Sequence, residues 1–503
     1  MAAEFPRFGS FCRPQSERMI RMAVLAGTEP AKVFQYFEAL AGIPHGSGNT
    51  KKVSDWLAAF ARTRHLRYIQ DCSNNIIIFK PASPGYEGAS PVIIQGHMDM
   101  VCDKAPGCRK DMEKEGLELV LDGDTVRARD TTLGADDGVA VAMGLALLDD
   151  ASLAHPPLEV VFTVDEELGM LGAAALDMSP LQGRRMINLD SEEEGVFTVS
   201  CAGGVRADCH LPVVRTAAAG RRLYLAVSGL RGGHSGEEID KGRANAHIIL
   251  GRLLLLLGKE IPFRLIAVHG GCRDNVISRG AGADIVIPDG AETRVQDLCR
   301  TFETVLRHEY HAADPDITLA VSASDSRELP LDQAGTERTA CFLAALPDGV
   351  QAMSRELPGL VQTSLNLGIL YTTEQEVVGG TLIRSSVASQ KEMLQDRITA
   401  LLKQLGGTVE FTGDYAAWEY RADSPLQQLM TSVFRKQYGR DPEIKAIHAG
   451  VECGIFAGRL PGLDCISLGP TLTDIHTFHE KMHIASVRRT WKLLVAALGC
   501  MKE

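Results

Sequence analysis

The chain carries no paired-cysteine signature. Its twelve cysteines stand singly, and no two are spaced C-x-x-C. A disulfide framework is therefore not expected, and the thiols are read as free in a reducing compartment, the cytoplasm. Positive charge is not in excess: 52 Lys and Arg against 64 Asp and Glu leave a net charge of −12. That excludes an extended basic face for nucleic acid or an anionic membrane surface. Long apolar runs are missing too. No stretch of 18 apolar residues occurs, so no membrane span is expected, and LLLLLG at 253–258 is too short and falls in a helical pattern. The opening MAAEFPRFGSFCRPQSERMIRM is mildly basic but lacks the apolar core of a secretory signal. Residues 1–22 are read as a disordered lead, a weak organelle-targeting segment, or sequence upstream of a start at Met19 or Met22.

What is present is an ordinary globular composition, 45% hydrophobic and 23% charged, over 503 residues. That length is enough for two or three domains and a large core. Four apolar runs share one form, a strand-like core with polar residues at its exit. They are PVIIQ (91–95) before GHMD, LEVVFTV (158–164) before DEE, RMINL (185–189) before DSEEE, and LDCISLGPT (463–471) before the last histidines. Helical stretches such as GVAVAMGLALLD (138–149) separate the earlier runs. The alternation predicts an α/β domain with a mixed, mostly parallel sheet flanked by helices, and a ligand site outside the carboxyl ends of its strands. Residues 206–407 read differently, with β-rich runs and amphipathic helices, and are expected to form an inserted α+β lid or dimerisation domain. The catalytic domain would then comprise 23–205 and 408–503. The last helix of the insert is predicted to begin at a capping box of Ser389 and Glu392. It carries Leu394, Ile398, Leu401, Leu402 and Leu405 on one face and stops at Gly406, before a strand GTVEF (407–411) assigned to the catalytic part.

The strand exits hold the chemistry. They present His97 and Asp99, then Asp136 from LGADDG, Glu166 and Glu167 from VDEELG, and Asp190 from NLDSEEEG. Read singly, each is weak. A histidine at a strand end is an ordinary polar residue, DEE can complement a helix dipole, and Glu192, Glu193 and Glu194 read as a solvated face. Together with a late histidine they make two imidazoles and several carboxylates, a donor set that suits zinc and tolerates manganese or cobalt. It exceeds one tetrahedral site and fits two ions sharing a carboxylate. Which late histidine belongs to it is ambiguous in HTFHEKMH (476–483). HEKMH has the H-E-x-x-H form of a single-zinc protease helix, whereas His476 belongs to H-T-F-H-E.

QGHMDMV, TLGADDGVAVA, EELGMLGA, INLDSEEEG, CAGG, GGHSGEEI, IHAGVECG and GPT…HTFHE together resemble the aminoacyl-histidine dipeptidases (Xaa-His dipeptidases, peptidase D). These belong to the di-zinc superfamily that includes carnosinases, tripeptidases, glutamate carboxypeptidases and aminoacylases. The resemblance runs from about Val33 to Leu498. It implies that His97 and Asp190 hold one Zn2+, that Glu167 and His476 hold the other, and that Asp136 bridges them. It further implies that Glu166 is the general base and that Asp99 orients His97. The superfamily's last ligand is a His followed by Ser or Thr, two residues, then Glu, which selects His476. HEKMH is expected before the final helix, for which Ser486 reads as the N-cap.

His234 in RGGHSGEE is expected to donate to the oxyanion, reaching the site on closure of the insert or from a second subunit of a homodimer. Arg384, helped by Asn275, would pair with the free carboxylate of a small peptide substrate. Against that, Arg384 reads equally well as a strand residue paired to a structural acid. His448 and Glu452 are expected near the substrate's amino end, where a plain polar turn is the alternative. The sequence departs from the family's usual residues at Asp137, Ala417 and His479. Asp165 would raise Glu166 if the two lie close. A deacylase of N-acyl amino acids or a tripeptidase on the same fold, and a non-enzymatic binding module, are the competing readings.

Overall fold

The computed structural model describes residues 24–502; the reading of residues 1–22 falls wholly outside them. The four strand-like runs are strands Val92–His97, Leu158–Thr163, Arg185–Asn188 and Asp464–Ser467. They lie side by side and parallel at the centre of an eight-stranded sheet. Antiparallel neighbours make the sheet mixed: Arg67–Gln70 and Ile76–Lys80 at one side, and Val196–Cys201 against Asp464–Ser467. The central strands are buried along their length, as expected for strands covered on both faces. Helix Ala135–Asp149 packs on them and is buried from residue 135 to 148. It reads apolar all round because it has no solvent face.

A second, nine-stranded antiparallel sheet takes all its strands from 203–415. Helices Ala246–Glu260, Glu292–Glu309, Gln333–Ala345 and Ala388–Gln404 share its apolar core. The LLLLLG run is part of the first of these helices. Among the described residues no helix is long and apolar enough to cross a membrane.

Three local expectations change. The passage between sheets occurs at Ala202, since Val196–Cys201 lies in the first sheet and Gly203–Pro212 in the second. No loop or change of composition marks the crossing. Thr408–Tyr415 pairs with Gly203–Pro212 and so belongs to the second sheet, not the catalytic one. Helix Ala388–Gln404 starts ahead of Ser389, with its Ala388 N–H bound by the Glu419 carboxylate at 3.0 Å. A distant acid thus replaces the local capping box. Its far end is as read: Gly406 is left-handed (φ 74°), and Leu394, Ile398 and Leu402 are buried.

Candidate active site

Backbone turns at the carboxyl ends of the parallel strands aim five side chains at one point. His97 ends its strand and is 1% exposed. Its Nε2 lies 3.2 Å from Asp136 Oδ1 and 3.6 Å from Asp190 Oδ1. On the other side of Asp136, His476 Nε2 lies 2.9 Å from Oδ2 and 2.9 Å from Glu167 Oε1. Asp136 therefore stands between two groups, His97 with Asp190 and His476 with Glu167. His476 and Asp165 are held at left-handed backbone angles (φ 61° and 54°), a local strain of the kind found at functional sites.

The donors fit metal. Glu167 Oε1 is buried and has no aligned hydrogen-bond donor, although His476 Nε2 is 2.9 Å away. A buried carboxylate oxygen that close to an imidazole nitrogen, with no hydrogen bond between them, is what a shared cation would satisfy. Donor atoms of His97, Asp136 and Glu167, and of His97, Asp137 and Asp190, each fall within 4.8 Å of one another. Asp137 is thus drawn in beside the expected set, and its Oδ2 accepts from the His97 N–H at 3.3 Å.

The electrostatics are those of crowded acids. Burial first, then Asp190, pushes Glu166 up to about 9, and burial pushes Asp190 up to about 6. Asp136 is held well below the carboxylate range despite its burial, because His476 and His97 bond to it. Asp136, and the Glu167 carboxylate close beside it, lift His476 to about 10. Asp165 is turned away, accepting from the Gly48 N–H at 2.7 Å, and the groups that raise Glu166 after burial are Asp190, Glu452 and Glu167. The DEE run lies in a turn, four residues before the short helix Leu171–Ala175, so it complements no helix start.

Several supports were not legible. Asp99 Oδ1 is 3.4 Å from His97 Nδ1, but the Asp99 main-chain oxygen is closer, at 3.0 Å. The Asp99 carboxylate accepts from Ser47 Oγ and from the Glu166 N–H. Glu480, the last residue of H-T-F-H-E, accepts from four successive N–H groups, Leu133 to Asp136, at 2.7–3.2 Å. It fixes the turn that presents Asp136. Glu193 is exposed and meets Lys445 at the surface, as a solvated acid would, whereas Glu194 is covered by Arg489 and Tyr438.

HEKMH forms no helix. Lys481–His483 is a short strand paired with Thr125–Ala128, and helix Ile484–Gly499 begins after it. His479 is exposed and packs against the Phe478 ring. Ser486 lies inside that helix instead of capping it, and its Oγ accepts from the Thr471 N–H at 2.7 Å.

A second cluster gathers on the insert. Arg384 is 6% exposed. Its Nη1 donates to Tyr415 Oη at 3.1 Å, its Nε has no partner, and among the described residues no carboxylate forms an ion pair with it. The structural-acid alternative therefore falls. His448 bonds through Nε2 to Ser364 Oγ at 2.7 Å, and its Nδ1 is buried without a partner. Burial, then the Arg384 guanidinium, brings His448 down to about 3. Beside that cation an anionic group is better accommodated than an ammonium group. Burial and Arg384 lower His234 as well, and a Cβ on Gly236 would meet both the His448 main-chain oxygen and the His234 ring, so the two histidines lie close together. Asn275 is half-buried on the adjoining loop. Glu452 is fully buried and accepts from Gln95 and Thr163 at 2.5 and 2.6 Å. It lies beneath the strand ends and lines no pocket, which corrects its expected role.

The family model described as peptidase family M20/M25/M40 matches residues 93–499. The chain is 35% identical over 479 residues to the cytosol non-specific dipeptidase of Escherichia coli K12, covering 95% of this chain and 99% of that one. The crystal structure of aminoacylhistidine dipeptidase from Vibrio alginolyticus is similar with a TM-score of 0.90 at 33% identity, over 95% of this chain and 98% of that one. Aminopeptidase PepT from Bacillus cereus, at 15% identity and a TM-score of 0.53 over 94% and 98% of the two chains, shares the fold.

Proposed function

The chain belongs to peptidase family M20/M25/M40 and is a metal-dependent peptide-bond hydrolase, and from that premise we propose that it cleaves dipeptides at a pair of zinc ions. Xaa-His and related dipeptides are the substrate class, β-alanyl-histidine among them, in keeping with the name of the Vibrio alginolyticus aminoacylhistidine dipeptidase, while the Escherichia coli relative is called a non-specific dipeptidase. His97 and Asp190 would hold one ion, Glu167 and His476 the other, with Asp136 shared and manganese or cobalt able to substitute. The observation that carries this reading is the two-sided placing of Asp136 between the histidines. When bound, the pair supplies Lewis acidity to the scissile carbonyl and acidifies the attacking water.

The rest falls to side chains. Glu166 takes the water's proton and returns it to the leaving amine. Asp99 keeps His97 in one tautomer and orientation. Arg384, Asn275 and the Nδ1–H of neutral His448 receive the substrate carboxylate, which fixes substrate length. His234 donates to the developing oxyanion, on closure of the insert or from the partner of a homodimer built through the insert. The protein works in the cytoplasm, as the name of its Escherichia coli relative suggests.

The test is a panel of dipeptides, a tripeptide and N-acyl amino acids, assayed with zinc, manganese or cobalt beside Glu166→Gln. Dipeptides with a free amine should be preferred. Glu166→Gln should lose roughly 10²–10⁴-fold in kcat, the range of general-base catalysis, with metal content unchanged. Preference for N-acyl amino acids would instead identify the deacylase.

A further inference from the structure

The substrate-carboxylate cluster is held together by an amide that touches none of its ligating atoms. Asn366 lies on strand Val361–Thr372 and is 1% exposed. Its Nδ2 donates to two main-chain oxygens, Asp274 O at 2.8 Å and Val276 O at 2.9 Å. These are the carbonyls on either side of Asn275. The carbonyl between them, that of Asn275 itself, accepts from the Ser235 N–H at 2.9 Å, next to His234. Three successive peptide groups are thus tied down, two of them by one side chain. The orientation of the Asn366 amide is not ambiguous. An oxygen in place of Nδ2 would face two carbonyl oxygens, which only accept. Asn366 Oδ1 in turn receives Asn245 Nδ2, which also donates to Asp348 and Leu367.

The strand places this clamp where it matters. Ser364 is the cross-strand partner of Arg384, and Ser364 and Asn366 are two residues apart, so all three side chains share one sheet face. Along that face Ser364 holds His448 and Asn366 holds the Asn275 loop, beside Arg384. Gly368 lets the loop lie directly on the strand. A Cβ there would sit 2.7 Å from Asp274 Cα, closer than packed carbons approach.

We propose that Asn366 is the positioning residue of carboxylate recognition. It sets Asn275 at the distance from Arg384 that a dipeptide's terminal carboxylate requires. The proposal rests on the carboxylate role of Arg384 and Asn275 given above. Asn366→Asp keeps the shape but turns the donor into an oxygen facing two carbonyls. Asn366→Ala leaves room for water and serves if the first variant folds poorly, with thermal melts reporting folding in each case.

Values of kcat/KM are measured for alanyl-histidine and for alanyl-histidinamide, which lacks the carboxylate. The native enzyme should prefer the acid strongly. The variants should lose at least about tenfold on the acid, mainly through KM, and little on the amide, because only interactions with the carboxylate are weakened. The preference therefore collapses. Equal losses on both substrates, or an unchanged preference, would overturn the role of Asn366 alone. A native enzyme indifferent to amidation would overturn the carboxylate reading itself, and the role of Asn366 with it.

Discussion

At the scale of the residue, the site turns on which histidine faces Asp136. His476 lies within 2.9 Å of both Asp136 and Glu167, whereas His479 is exposed against Phe478. His476→Ala should therefore weaken metal binding, roughly 100-fold or more if it removes a direct ligand, given that outer-shell changes alone cost 10–100-fold. His479→Ala should leave binding near the native value. Chelator competition on the two variants checks this, and the reverse order would assign the metal to the H-E-x-x-H pair. Glu480 shows how a motif letter acquires a reason. Its carboxylate satisfies four N–H groups that would otherwise be buried without partners at the turn before Asp136.

At the scale of the element, strand Val92–His97 and helix Ala135–Asp149 meet so closely that only glycine fits between them. A Cβ on Gly96 would run into Asp137 Oδ2 and come within 2.6 Å of Ala140 Cβ. The helix would have to shift, carrying Asp136 away from His97. Gly96→Ala should destabilise the fold by about 1–3 kcal/mol, as overpacked cores do, and lose activity beyond what the stability loss explains. Urea melts alongside kcat/KM at a temperature where the variant is folded test this. Parallel central strands and the helix between them were readable from apolar runs with polar exits. The start of helix Ala388–Gln404 was not, because its cap comes from Glu419, more than thirty residues further along the chain.

At the scale of the whole molecule, the metal centre is a point where distant acids are forced together, and its charge dictates pH behaviour. In the metal-free protein His476 is held up to about 10 by Asp136 and Glu167, and Asp190, Asp136 and Asp99 hold His97 high despite its burial. Protonated imidazoles cannot ligate, so metal entry must displace protons. A raised histidine pKa keeps that proton bound up to the raised value, and the cost of removing it falls as pH climbs toward it. Apparent zinc affinity should therefore rise from pH 6 to pH 9, by roughly tenfold per pH unit for each proton displaced. Competition with a chelator of known pH dependence checks it, and a flat or falling profile would show that the histidines are not ligands.

The order of the apolar runs determined the parallel sheet, because buried strands must be apolar and their polar exits must collect at one end. The same pattern determined the acids and histidines that gather there. Only the folded chain decided the rest. The crossing at Ala202 has no composition break. The burial of Glu452, the company His448 keeps with Arg384, and the clamp of Asn366 on the Asn275 loop join residues about 60 to 360 positions apart. Such contacts depend on which faces of which elements meet, and the local spacing of residue types carries no record of that.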